Sequence, residues 1–230
     1  MIYQKLFVAV AITVGFVSVA GAAGKGEDEL DRVAARLDLS GPGTAAWLRQ
    51  LESNGAATER LLAVTTSGEL VMAREGGRTA VVIGVELDKL LRRPGSAIVL
   101  IHNHPSNTGL SAADIGQLSK PGVAAVVAIC RDGSVFMAAA GPRMDGDFLE
   151  SHQYLAADAE VSQRMELAKI NAASWPDAIR LRGHLVARAL AKAGIIAYRA
   201  DIRRGAREHL DAERRVLLPL VESVAARLTR

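Results

Sequence analysis

The stretch Ser96-Ala-Ile-Val-Leu-Ile101 is continuously apolar or small and runs straight into His102-Asn-His-Pro105. A short β-branched run with no in-and-out alternation reads as a strand covered on both faces, which places it at the centre of a sheet. Such a strand needs layers on both sides, and the flanking segments supply them. Residues 60–66 and 69–73 are rich in strand formers and meet at Ser67-Gly68, which predicts a hairpin. Residues 79–83 read as a further strand after the turn at Gly76-Gly77. Residues 85–92 predict a helix stopped by Pro94-Gly95, and residues 111–118 predict a second. Two more strands are expected at 123–130 and 134–139, joined by Asp132-Gly133. This alternation predicts an α/β fold, a mixed β-sheet flanked by helices, over about residues 25–142.

The region after residue 145 predicts helices only, with breaks near Trp175-Pro176, Gly194 and Gly205. Its apolar positions Leu185, Leu190, Ile195 and Ile196 predict packing onto the same chain. At the other end, residues 6–20 form an uncharged apolar run preceded by Lys5 and followed by Gly21-Ala-Ala23. That order is the order of a secretory signal, with Ser18-Val-Ala20 and Ala20-Gly-Ala22 both suited to cleavage. The run is also long enough to stay as a single anchor. The expected division is a leader or anchor over 1–23, a layered domain over 24–144 that opens with helices near 27–37 and 44–52, and a helical C-terminal region over 145–230. The expected location is outside the cytoplasm, exported or held at the membrane by the leader.

The chain has a single cysteine, Cys130, within the apolar run that ends the 123–130 strand, so no intrachain disulfide forms and a buried thiol is expected. Zinc sites built on cysteine pairs are excluded, and any metal must be held by histidine and carboxylate. The net charge is only +3, and aromatic residues make up 4% of the chain. The arginines near 180–182 and 203–204 carry no interleaved aromatics on which bases would stack, so they read as solvated helix surface and nucleic acid is not the expected partner.

The chemistry gathers at the end of the central strand. Side chains alternate along a strand, so His102 and His104 project to one face and Asn103 to the other. Pro105 ends the pairing. Ser111-Ala-Ala-Asp114 opens the next helix after a loop of six residues, Pro105 to Leu110. Folded back over the strand end, that loop brings Asp114 to the two imidazoles. Two histidines and one carboxylate leave a fourth tetrahedral position for water, the pattern of a catalytic zinc. The same Ser-x-x-Asp is also a good helix cap, which competes for the Asp114 carboxylate. Ser111 beside the water can donate to an oxyanion. The base is assigned to Glu59, at the entry to the first strand, ahead of the nearby Glu52, Glu69 and Glu75. His152, His184 and His209 lie in helical context and read as surface or core.

The stretch Ile101-His-Asn-His-Pro-Ser-Asn-Thr-Gly-Leu-Ser-Ala-Ala-Asp-Ile115 resembles the His-x-His-Pro to Ser-x-x-Asp signature of the JAMM (MPN-plus) metalloproteases. It is most similar to the bacterial JAB-type and RadC-like branch, which shares the His-Asn-His-Pro-Ser wording. The family places its catalytic Glu on an early strand, where Glu59 stands. The resemblance covers about residues 56–140 and implies a JAB/MPN-like layer, with Zn2+ on His102, His104 and Asp114. It further implies hydrolysis of a peptide or isopeptide amide, with ubiquitin-like or isopeptide-linked proteins among the substrates. One departure is the loop between His104 and Ser111, which is one residue shorter than the usual family pattern. Two other readings stand beside it: a RadC-like role around DNA, and an interaction module that keeps the fold without activity.

Overall fold

The computed structural model describes residue 30 and residues 58–144, 153–169, 182–202 and 214–229. Along them run β1 (Arg60–Thr65), β2 (Leu70–Glu75), α1 (Val85–Leu91), β3 (Ile98–His104), α2 (Ala112–Gly116), the 3-10 turn Gln117–Ser119, β4 (Val123–Cys130) and β5 (Val135–Ala140). Then follow α3 (Gln153–Leu167), α4 (Arg182–Lys192), β6 (Ile196–Asp201) and α5 (Arg214–Leu228). The leader, the early helices expected near 27–37 and 44–52, His152 and His209 lie outside the described residues, apart from the helical, buried Leu30. No helix among the described residues is long and apolar enough to cross a membrane.

The six strands form one mixed sheet in the order β2-β1-β3-β4-β5-β6. β3 sits inside it, antiparallel to β1 and parallel to β4, and every one of its residues is buried. The unbroken apolar run therefore reports its position correctly. Period-two alternation sorts the strand residues onto two faces. Leu61, Ala63, Ile98, Leu100, Ala128, Cys130, Phe136 and Ala138 face a core shared with α1, α2 and the three later helices. Leu62, Val64, Val99, Ile101, Ala125 and Val127 form a second cluster on the opposite face. Cys130 is buried, as its apolar run predicts.

Two expectations change. Residues 79–83 are not a strand. The chain turns sharply at Gly76, where a Cβ would lie 2.3 Å from the Ala80 carbonyl, and Gly77 N–H donates to that same carbonyl at 2.9 Å. The alternation of this segment instead serves packing: Val81 and Ile83 lie against the core while Val82 is 78% exposed. The second change lies in the region read as helical throughout. Gly194, at φ 75°, ends α4 and lets the chain return as β6, which pairs antiparallel with β5 from Ala140↔Ile196 to Val135↔Asp201. β6 is an edge strand carrying Arg199 and Asp201, and charge on an edge weakens the apolar signal while blocking unwanted pairing. The sheet thus continues past residue 144.

Helices α3, α4 and α5 pack on one another and on this sheet. Tyr154, Val161, Leu185, Leu190, Ile195, Ile196, Val221 and Val224 all join the core that holds Leu61 and Leu100. The C-terminal region packs within the chain, as its apolar positions predict.

Candidate metal centre

The centre is assembled by strand register. In the antiparallel pair of β1 and β3, Leu61 stands opposite His102 and Leu62 opposite Ile101. Carrying that register two residues further sets Glu59 across from His104, on the same face as both imidazoles. Glu59 lies just before β1 and is held by the turn after β2: its N–H donates to the Gly77 carbonyl at 2.7 Å, and its own carbonyl accepts from Gly76 N–H at 2.8 Å. The opposite face carries a lock. The Asn103 Oδ1 accepts from Arg60 N–H at 2.6 Å, and its Nδ2 donates to the Thr58 carbonyl at 3.1 Å. The backbone on both sides of Glu59 is thereby tied to β3. Reading alternation alone sends Asn103 away from the site and misses this part. Its signal was an amide placed mid-strand between two histidines, where an apolar residue is the default.

His102 and His104 end β3 with side chains about 6% exposed. Their Nε2 atoms lie 2.8 Å apart. Asp114 Oδ1 is 3.1 Å from the His102 Nε2, and Oδ2 is 3.4 Å from the His104 Nε2. The three ligand atoms lie within 4.8 Å of one another. A tetrahedral ion with bonds of about 2.0–2.1 Å needs ligand edges of about 3.3 Å. The two imidazoles and the Oδ1 beside His102 stand slightly closer than that edge, and one donor atom from each of the three residues lies within 4.8 Å of the others, so the donor set is of a size that could hold a small divalent cation. This trio is the group of His, Cys, Asp and Glu that meets the requirement among the described residues.

The surrounding bonds orient the ligands. The His104 Nδ1 donates to the Thr108 carbonyl at 2.9 Å, which turns the Nε2 lone pair toward the centre. Asp114 and Ser111 form a reciprocal capping box at the start of α2. Asp114 Oδ2 accepts from both Ser111 N–H and Ser111 Oγ at 2.7 Å. Asp114 N–H donates back to that hydroxyl at 3.2 Å. The sequence set capping against ligation, and the structure accommodates both. Oδ2 is anchored to the helix start, and Oδ1 lies beside His102.

Charge couples the same residues. Burial would raise the Asp114 pKa, but the charges and hydrogen bonds of His102 and His104 hold it well below the usual carboxylate range. Burial would lower the His104 pKa, yet the Asp114 hydrogen bond and charge, the Thr108 carbonyl and Glu59 together raise it above the ordinary value. Glu59 is raised by burial, less the pull of His104 and His102 and with a push from Asp114. His102, His104 and Asp114 therefore all lie within electrostatic reach of the Glu59 carboxylate.

The rival carboxylates differ. Glu75 lies at an exposed rim and pairs with Arg60 at 3.2 Å, and Glu69 sits in the hairpin turn with its N–H on the Thr65 hydroxyl at 3.1 Å. Glu52 lies outside the described residues. His184 is buried in the core with its Nδ1 2.8 Å from the Tyr198 hydroxyl, and it is no part of the trio. Compared with family models, with curated proteins and with solved structures, the chain matches none.

Ser111→Ala removes the cap and one of the two Ser111 anchors on Asp114. Urea unfolding of the metal-free chain is expected to show a loss of about 1 kcal/mol. An unchanged midpoint would mean that the capping box contributes nothing in solution.

Proposed function

We propose that this chain is a zinc-dependent metallohydrolase that cleaves a peptide or isopeptide amide bond. The observation that carries the reading is the meeting of His102, His104 and Asp114 at one point, with the Glu59 carboxylate close enough to feel all three. A mixed set of imidazole and carboxylate with no thiolate matches hydrolytic zinc sites, which keep one corner open, better than closed structural ones. The resemblance of residues 101–115 to the JAMM signature supports the amide as the bond cleaved.

His102, His104 and Asp114 would hold a divalent ion, which when bound would supply Lewis acidity and make a water more acidic, with a pKa of about 7 for zinc. The remaining work falls to the chain. His102 and His104 are ligands in this reading, and the Thr108 carbonyl holds the His104 ring in the tautomer that leaves Nε2 free to bind. Asp114 presents Oδ1 while its other oxygen stays on Ser111. Glu59 accepts the proton of the attacking water and later delivers it to the departing amine nitrogen. Burial, which raises the Glu59 pKa, makes it a stronger base than an exposed glutamate. Ser111, whose hydroxyl donates to Asp114 Oδ2 at 2.7 Å, is the residue this reading assigns to the oxyanion.

In this reading the substrate is a peptide or protein, ubiquitin-like or isopeptide-linked conjugates included, met outside the cytoplasm. The test is direct. The purified chain should carry about one zinc, by the stoichiometry of such sites, and should cut members of a peptide and isopeptide library until a chelator is added. Retained zinc with every library member uncut would leave an interaction module. DNA binding that falls steeply with salt would favour the RadC-like role instead.

A further inference from the structure

We propose that the C-terminal helices are a clamp that holds the His104 ligand in place by pressing on the loop after it. The inference rests on the metal reading above. The loop Pro105 to Leu110 turns at Asn107, whose φ is 55°, and places the Thr108 carbonyl on the His104 Nδ1 at 2.9 Å. The next residue, Gly109, lies against the backbone at the start of α4. A Cβ on Gly109 would stand 2.6 Å from the His184 nitrogen and 3.1 Å from the Gly183 carbonyl carbon. The approach is reciprocal, since a Cβ on Gly183 would stand 2.9 Å from the Leu110 carbonyl oxygen.

These are backbone-to-backbone contacts, so neither side yields by a rotamer change. The Leu110 carbonyl also accepts from the Tyr154 hydroxyl of α3 at 3.4 Å, and the Leu110 side chain is fully buried. Two helices from the far part of the chain therefore fix Gly109 and Leu110, and through them the carbonyl that orients His104. The arrangement gives the loop a support. With six residues between strand and helix the loop has little slack of its own, and glycine against glycine lets it lie flat on α4. Gly109, Gly183 and Tyr154 are positioning residues, since they act on the metal only through Thr108 and His104.

Partners that orient a metal-ligating histidine typically govern affinity by about 10- to 100-fold. Gly183→Ala in the full chain is expected to weaken the Zn2+ Kd by about that factor, read by competition with a chromophoric chelator. In the same variant, the His104 Nδ1–H proton should lose its protection from exchange by NMR. Val224→Ala, which opens a cavity in the core beneath α5, controls for general destabilisation: its Kd should stay within about twofold, well short of the loss from a lost orienting partner. Should Gly183→Ala not fold, Tyr154→Phe keeps the ring and removes only the hydroxyl, and a severalfold weakening is then expected. A wild-type chain that binds no divalent ion overturns the metal reading and the clamp with it. Tight wild-type binding, with Gly183→Ala or Tyr154→Phe no weaker than Val224→Ala, overturns the clamp alone.

Discussion

Glu59→Gln is expected to lower kcat on a cleavable amide by about 10²- to 10⁴-fold, the usual contribution of a positioned general base, while the zinc content of the purified protein stays unchanged. The substitution keeps the volume and the backbone bonds to Gly76 and Gly77, and it removes only the ability to take a proton. Because burial raises the Glu59 pKa while His104 and His102 pull it down, the acid limb of the wild-type rate profile should follow a single group of carboxylate character. That limb should vanish in Glu59→Gln, leaving a low and pH-flat residual rate. His102→Ala gives the contrast, since it should lose both the ion and the activity. A Glu59→Gln protein that turns over at the wild-type rate would remove Glu59 from the chemistry and reopen the choice among the other acids.

The second large effect concerns stability. His184 is buried beside Tyr198, and burial, with a smaller contribution from Arg188, pushes its pKa down to about 3. In the unfolded chain the ring titrates near the ordinary 6.5. Between those values the unfolded state binds a proton that the folded state refuses, so stability is complete above pH 6.5 and drains away as the pH falls. The slope is about 1.4 kcal/mol per pH unit for one proton. Lowering the pH of the metal-free chain by two units from neutral-acid conditions should then cost about 2–3 kcal/mol, or on the order of 5–10 °C in Tm.

His104 does not mask this. Its pKa is raised in the fold, so its stabilisation is present below the unfolded value and is lost only on the alkaline side. Asp114 is depressed, so its contribution is lost only as the pH falls below the ordinary carboxylate value. His184→Gln, which can still bond Tyr198, should flatten the decline by one proton. Glu59, raised by burial, takes up its proton earlier in the fold than in the unfolded chain and offsets part of the decline; a wild type that declines no more steeply than His184→Gln would show that His184 is solvated or charged in the fold.

The elements nearest the centre were legible in the sequence because each had a strong local signal. The unbroken Ile98–Ile101 run could be satisfied only inside a sheet, and alternation along it put both histidines on one face. The cap at Ser111 and Asp114 was equally plain, and the structure adds that one carboxylate faces both the helix start and the imidazoles. What escaped was tertiary. Residues 79–83 alternate like a strand, but alternation reports a half-buried extended segment and cannot say whether a ladder partner exists. β6 escaped for the converse reason: a charged edge strand has a partner but a weak pattern. The grip of Asn103 on Arg60 and Thr58 depends on register between strands far apart in the chain, which no local window contains.

The sixth strand has a consequence for how the molecule is made. As the chain emerges during synthesis, His102, His104 and Asp114 are all made by residue 114, yet β5 remains an open edge until Ile196–Asp201 arrives. Pairing at such long sequence separation is slow. In the zinc reading proposed above, metal offered before the sheet is complete would meet a less rigid frame, so productive loading would belong to the finished polypeptide, and a protease that cuts ahead of the last strand would release a fragment expected to be inert.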